Sequence, residues 1–147
     1  MRKNLPMILV RLMVGIVFLF EGILKFVRPG ELGAGRFEHI GLPLSGLLAP
    51  LVAVVEIVSG AALVLGVYAG DAALMLFLVI MAAIITTKVP ILLGHSLWRF
   101  PAAPLSHYGF LSFIHEARTD LCMLLGTAAI LIDSGIKLGR RTQWYQR

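Results

Sequence analysis

The chain has 147 residues, 59% of them hydrophobic and 14% charged, with a mean hydropathy of +0.90. Soluble domains run at about 45–50% apolar and about 25% charged, so the medium around this fold must be lipid. That excludes a cytosolic enzyme and a disordered chain. An ordinary nucleic-acid binder is excluded as well, because the net charge of +5 is not clustered on any soluble element.

A helix crossing about 30 Å of hydrocarbon needs roughly 20 mostly apolar residues. Four stretches meet that demand, at about 7–27, 47–67, 71–93 and 110–132. They predict one all-α domain over 1–147, an integral membrane four-helix bundle. Arg2 and Lys3 ahead of the first stretch resemble the start of a secretory signal. The stretch ends in Phe20-Glu21-Gly22-Ile23-Leu24-Lys25-Phe26, however, with no small-residue cleavage site. It is read as a retained first helix.

Two long outer connections follow, 28–46 and 94–109, both rich in Gly and Pro. The first contains a candidate interfacial helix, Arg36-Phe37-Glu38-His39-Ile40. Tyr68-Ala69-Gly70 makes a tight hairpin between the second and third helices. Arg2, Lys3, Lys137, Arg140, Arg141 and Arg147 fall on one side, against Arg28, Arg36 and Arg99 on the other. Basic residues accumulate on the cytoplasmic side, so both termini are expected there and both long connections outside. The expected location is the inner (plasma) membrane.

Eight ionisable residues lie in or at the rim of the apolar stretches: Arg11, Glu21, Lys25, Glu56, Lys88, Glu116, Arg118 and Asp120. A charge at the bilayer centre costs about 2.5–3.5 kcal/mol on insertion scales, so such residues face the bundle interior and pair. On the expected topology all but Arg11 and Glu56 fall in the outer half, with Glu56 just below them. Arg11, Gly15, Phe18, Gly22 and Lys25 are spaced as one helical stripe, as are Ala49, Ala53, Glu56, Gly60 and Leu63. The small residues in these stripes let helix backbones approach; Gly15, Gly22 and Gly60, with Arg11, are the expected packing positions. Glu21, Lys25, Glu56, Lys88, Glu116, Arg118 and Asp120 form the candidate polar pocket.

Their signs roughly balance, which leaves two readings open. The cluster either only holds the helices together, or it lines a pocket for a polar or amphipathic ligand such as a quinone head group, with carboxylates that exchange protons. With Arg11 the sole charge of the inner half, a transport path is the weakest reading.

Cys122 is the single cysteine, so no intrachain disulfide forms, and inside an apolar run it reads as a small hydrophobe. His39, His95, His107 and His115 all fall on the outer side, at spacings that match no metal-ligand motif. No metal site is expected. Trp98, Tyr108, Trp144 and Tyr145 lie where aromatic belts form.

The run Leu9-Val10-Arg11-Leu12-Met13-Val14-Gly15-Ile16-Val17-Phe18 leads to Gly22 and Lys25, then Phe37, Gly41 and Pro43, then Glu56, Gly60, Leu63 and Gly66. This order and spacing, over about 9–90, resembles the DoxX family of small bacterial and archaeal membrane proteins. His115-Glu116-Ala117-Arg118-Thr119-Asp120-Leu121 is similar to the fourth-helix start of some members. After Ile132 the chain departs: Asp133-Ser134-Gly135-Ile136-Lys137 and a basic tail replace the Gly-x-Gly and Ser-Leu-Asp ending of many members.

The resemblance implies a four-helix inner-membrane protein associated with redox chemistry. Some relatives are subunits of a thiosulfate:quinone oxidoreductase, and others join membrane complexes with thiol or superoxide-handling enzymes. Related bundles that resemble vitamin K epoxide reductase work through cysteine pairs, which this chain lacks. No cofactor is evident in the sequence, so an accessory subunit that binds quinone beside another membrane or membrane-associated protein is expected. The alternative is a non-catalytic scaffold or assembly subunit.

Overall fold

The computed structural model describes residues 5–135, and every regular element among them is helical. Helix α1 spans Leu5–Val27, α2 Ala34–His39, α3 Ser45–Leu65, α4 Ala69–Ala83, α5 Val89–Leu93 and α6 Phe110–Asp133. A single π turn, Ile84–Lys88, joins α4 to α5 and makes them one rod from Ala69 to Leu93. The basic termini, on which the expected orientation partly rests, and the expected belt residues Trp144 and Tyr145 lie outside the described residues.

Local chemistry sets the boundaries. Pro6 occupies the first turn of α1, where its missing N–H costs nothing. At the other end Arg28 precedes Pro29, and a residue before proline is pushed out of the helical region. Gly66, in the left-handed region at φ 70°, closes α3: its N–H reaches Leu63 O and that of Val67 reaches Ala62 O. That is the Schellman pattern. The α3–α4 turn therefore centres on Gly66, Val67 and Tyr68, two residues earlier than the expected hairpin. Ala69 and Gly70 already belong to α4.

The π turn traces to Pro90. Proline donates no hydrogen bond, and its ring presses on the carbonyl one turn earlier. The chain widens there, with the Val89 N–H reaching back to Ile84 O. Thr86 and Thr87 direct their hydroxyls to Ala82 O and Ala83 O, at 2.8 and 2.7 Å.

The long helices close a ring: α1 packs on α3, α3 on α4, α4 on α6 and α6 on α1. Its core joins Val14 and Phe18 of α1, Leu63 of α3, Leu76 and Ile80 of α4, and Ile130 of α6. Around the outside lie exposed side chains such as Leu9, Phe20, Leu51, Val58, Leu78 and Leu125. An apolar rim around a packed interior suits a lipid solvent. Leu5–Val27, Ser45–Leu65 and Ala69–Leu93 are long and apolar enough to cross a bilayer. The expectation was four. Helix α6 matches them in length, but Glu116, Arg118 and Asp120 crowd its first half.

The α1–α3 contact is backbone on backbone. A Cβ added at Gly15 would stand 2.8 Å from Gly60 O, and one at Gly60 would stand 2.7 Å from Leu19 N. At Gly22 it would meet Ala53 O at 2.7 Å. No larger side chain fits without moving a helix, which is what small-residue stripes provide in membranes.

Candidate functional site

Both predicted stripes face inward. Arg11, Gly15, Phe18 and Gly22 are buried on α1, and Ala49, Ala53, Glu56, Gly60 and Leu63 on α3. Because they meet along the Gly15–Gly60 contact, Lys25 and Glu56 end side by side. Lys25 Nζ donates to Glu56 Oε2 at 2.6 Å, and Glu21 Oε2 lies 3.9 Å from the same ammonium, one turn before it. Both members of the close pair are removed from solvent, while Glu21 is half exposed.

A second pair links the π turn to α6, with Lys88 Nζ 3.6 Å from Asp120 Oδ2. That is too long for a hydrogen bond, so the carboxylate is neutralised yet keeps its acceptor capacity.

A cavity of about 460 Å³ lies between α1, α2, α3, α4 and α6. Glu21, Lys25, Glu56 and Asp120 line it, so four of the seven candidate pocket residues share one space. Lys88 holds Asp120 from outside the lining. Glu116 is half-buried away from the cavity. Arg118 is exposed and donates to the His115 carbonyl at 2.6 Å, one turn back on its own helix.

Sequence reasoning missed four polar contributors: Arg36, Thr86, Thr87 and Thr119. Arg36 had a signal, since it lies on the expected interfacial helix, which forms as α2 and packs on α3. The two π-turn threonines had none except Pro90, four and three residues later. The rest of the lining is apolar, including Phe18, Phe37, Leu48 and Met123.

Arg11 is not an isolated inner charge. Its Nη2 lies 3.1 Å from Asp133 Oδ2 and clasps the first turns of α1 to the last turn of α6. Matching depths, Arg11 early in α1 and Asp133 at the close of α6, were the available signal. Arg11 and Lys25 are 14 positions apart on one helix, about 21 Å at 1.5 Å per residue. The ion pairs thus sit at two levels of the bundle, and the cavity belongs to one of them.

Cys122 is exposed on the outer face of α6 instead of packing inside, and all four histidines are exposed. Trp98 is 88% exposed in a tight loop held by the bridge between Leu97 and Phe100.

A ring of apolar helices around a part-polar cavity, three of them long enough to span a bilayer, defines a multi-helix integral membrane protein. The DoxX family model matches residues 7–89, more than half of the chain, and the chain belongs to the DoxX family. An uncharacterized membrane protein of Mycobacterium tuberculosis is 45% identical over 124 residues, which cover 84% of this chain and 72% of that protein. No solved structure matches the chain.

Proposed function

We propose that this protein is a redox-associated membrane subunit whose charged cavity holds the head of a quinone or a similar small amphipathic substrate. The cavity carries the reading. Ligand sites are mostly apolar concavities of about 300–1,000 Å³ with a few placed polar groups, and this one pairs apolar walls with the Lys25–Glu56 couple and Asp120. Lys25 would stabilise negative charge on the head, and Glu56 and Asp120 would hold or exchange its protons.

On this proposal α6 completes a fourth crossing of the plasma membrane, both termini are cytoplasmic and the cavity opens outward. A partner subunit supplies electron transfer, since the chain offers no thiol pair of its own.

One observation favours a second reading. Lys25–Glu56 spans α1 and α3, Lys88–Asp120 spans the π turn and α6, and Arg11–Asp133 spans α1 and α6. Pairs that cross helices in this way would also suit a non-catalytic scaffold.

Replacing Glu56 by Gln separates the two. In lipid nanodiscs the wild-type protein should bind a short-chain quinone above the level of empty discs. Glu56→Gln strands the Lys25 ammonium and should lower the folded yield, so binding is compared per folded protein, where it should still be weakened. Absence of binding by the wild type, or loss of yield alone, leaves the scaffold.

A further inference from the structure

Two ion pairs take up most of the charge around the cavity, and they leave over one cation and one anion. Lys25 is bonded to Glu56, and Lys88 neutralises Asp120 from outside the lining. Arg36 and Glu21 remain. Among the described residues no carboxylate pairs with the Arg36 guanidinium and no oxygen accepts a hydrogen bond from it. Glu21 has only a 3.9 Å approach to the ammonium that Glu56 holds at 2.6 Å. Both line the cavity and both are exposed at its edge. Hydrogen-bonding capacity is spare on both sides as well. Lys25 carries three N–H groups and spends one on Glu56, while Glu56 Oε1 accepts nothing among the described residues.

This balance restricts the occupant. Glu21, Glu56 and Asp120 are matched by Lys25, Arg36 and Lys88. A head of one sign would bring an unmatched charge among apolar walls, where it is costly. A head with no charge would cover Arg36 and Glu21 and strip their water without replacing it. A head carrying both signs satisfies both. The walls indicate what that head is attached to. Leu78 and Ala82 of α4 line the cavity and are also exposed on the outside of the bundle, so its apolar part runs out to the surface that faces lipid.

We infer that the cavity takes a zwitterionic phospholipid of the ethanolamine type. Its phosphate meets the Arg36 fork, which suits phosphate oxygens, with the spare Lys25 N–H groups behind it. Its ammonium meets Glu21 and Glu56 Oε1, and an acyl chain leaves over Leu78 and Ala82. This rests on the cavity being the ligand site proposed above, and it names the amphipathic substrate class there as a membrane phospholipid.

The test is native mass spectrometry of the full-length protein in dodecyl maltoside, titrated with dioleoyl lipids that bear ethanolamine, glycerol or choline heads. The glycerol lipid has no cation, and choline has no N–H to give a carboxylate. A hydrogen bond to a charged group is worth about ten-fold or more in affinity, so the ethanolamine lipid should bind about ten-fold tighter than either. Arg36→Gln should weaken all three. Glu21→Gln should remove the advantage of ethanolamine over glycerol. Both positions are exposed, so neither change disturbs packing. Equal binding of the three lipids, preference for glycerol or choline, or an advantage indifferent to both substitutions overturns the inference while the ligand-site reading stands. So does O-phosphoethanolamine binding as tightly as the lipid, since the occupant would then be the soluble head. Failure of the lipids and of a short-chain quinone alike to form a saturable complex overturns both.

Discussion

Lys25 of α1 and Glu56 of α3 meet at 2.6 Å with 11% and 5% of their side chains exposed, so each is the other's main solvation. Removing one partner of a buried pair strands a charge and costs about 3–5 kcal/mol, whereas replacing both by apolar groups is often neutral. Lys25→Met alone should lower the folded yield and the thermal midpoint in detergent. Lys25→Met with Glu56→Leu should recover most of the loss. A double variant no more stable than the worse single would show that the two are not coupled.

Arg11 and Asp133 form a more lopsided pair, with 10% and 45% of their side chains exposed. Solvent at Asp133 screens the attraction, and exposed pairs contribute about 0–1 kcal/mol. Asp133→Asn should barely shift thermal unfolding. Asp133→Arg places a second cation against the buried guanidinium and should lower the midpoint clearly. Indistinguishable melting of these two variants would remove the pair from the account of how α6 is held.

Backbone contact at Gly60 makes a sharper demand. Gly60→Ala would press a methyl group to 2.7 Å from Leu19 N, and overpacking typically costs about 1–3 kcal/mol. Gly46→Ala, on the same helix with nothing within 4 Å of the new Cβ, should be neutral or stabilising by up to about 1 kcal/mol. Equal effects at the two positions would contradict the close approach of α1 and α3.

Pro90→Ala restores a backbone donor and relieves the pressure behind the π turn. The rod should relax towards a regular α-helix and rotate Thr86 and Thr87 relative to the cavity. A Thr87→Cys probe should then change its labelling rate by a water-soluble maleimide. An unchanged rate in the Pro90→Ala background would mean that proline does not set the turn.

A fourth crossing can be read from reporters active on one side of a membrane only. Fusions after Tyr108 and after Gly135 bracket α6 and should report opposite sides. The same side for both would lay α6 on the bilayer surface.

Much of this was legible because helix period and lipid solvent act over whole segments. The Arg11–Lys25 and Ala49–Leu63 stripes carry their own geometry, so their inward faces and the Lys25–Glu56 meeting follow once the glycines set the contact. Asp120 was legible as a cluster member, but spacing alone cannot separate it from Glu116, one turn away, or from exposed Arg118. Thr86 and Thr87 were not legible at all, because a π turn shifts the register that any 3.6-residue reading assumes. Arg36 depended on how a connection folds back, which no periodicity encodes.

The glycine seam between α1 and α3 also bears on traffic through the bundle. Those two backbones already touch and are stitched by Lys25 and Glu56, so they form a wall without slack. On the proposed function, a molecule arriving from the bilayer would have to part some other seam. Helix α2 borders the cavity through Arg36 and Phe37, spans only six residues and has none of them buried. It is the bordering element with least burial to lose by swinging aside, and if the cavity takes a ligand as proposed, the connection between α1 and α3 is its natural doorway.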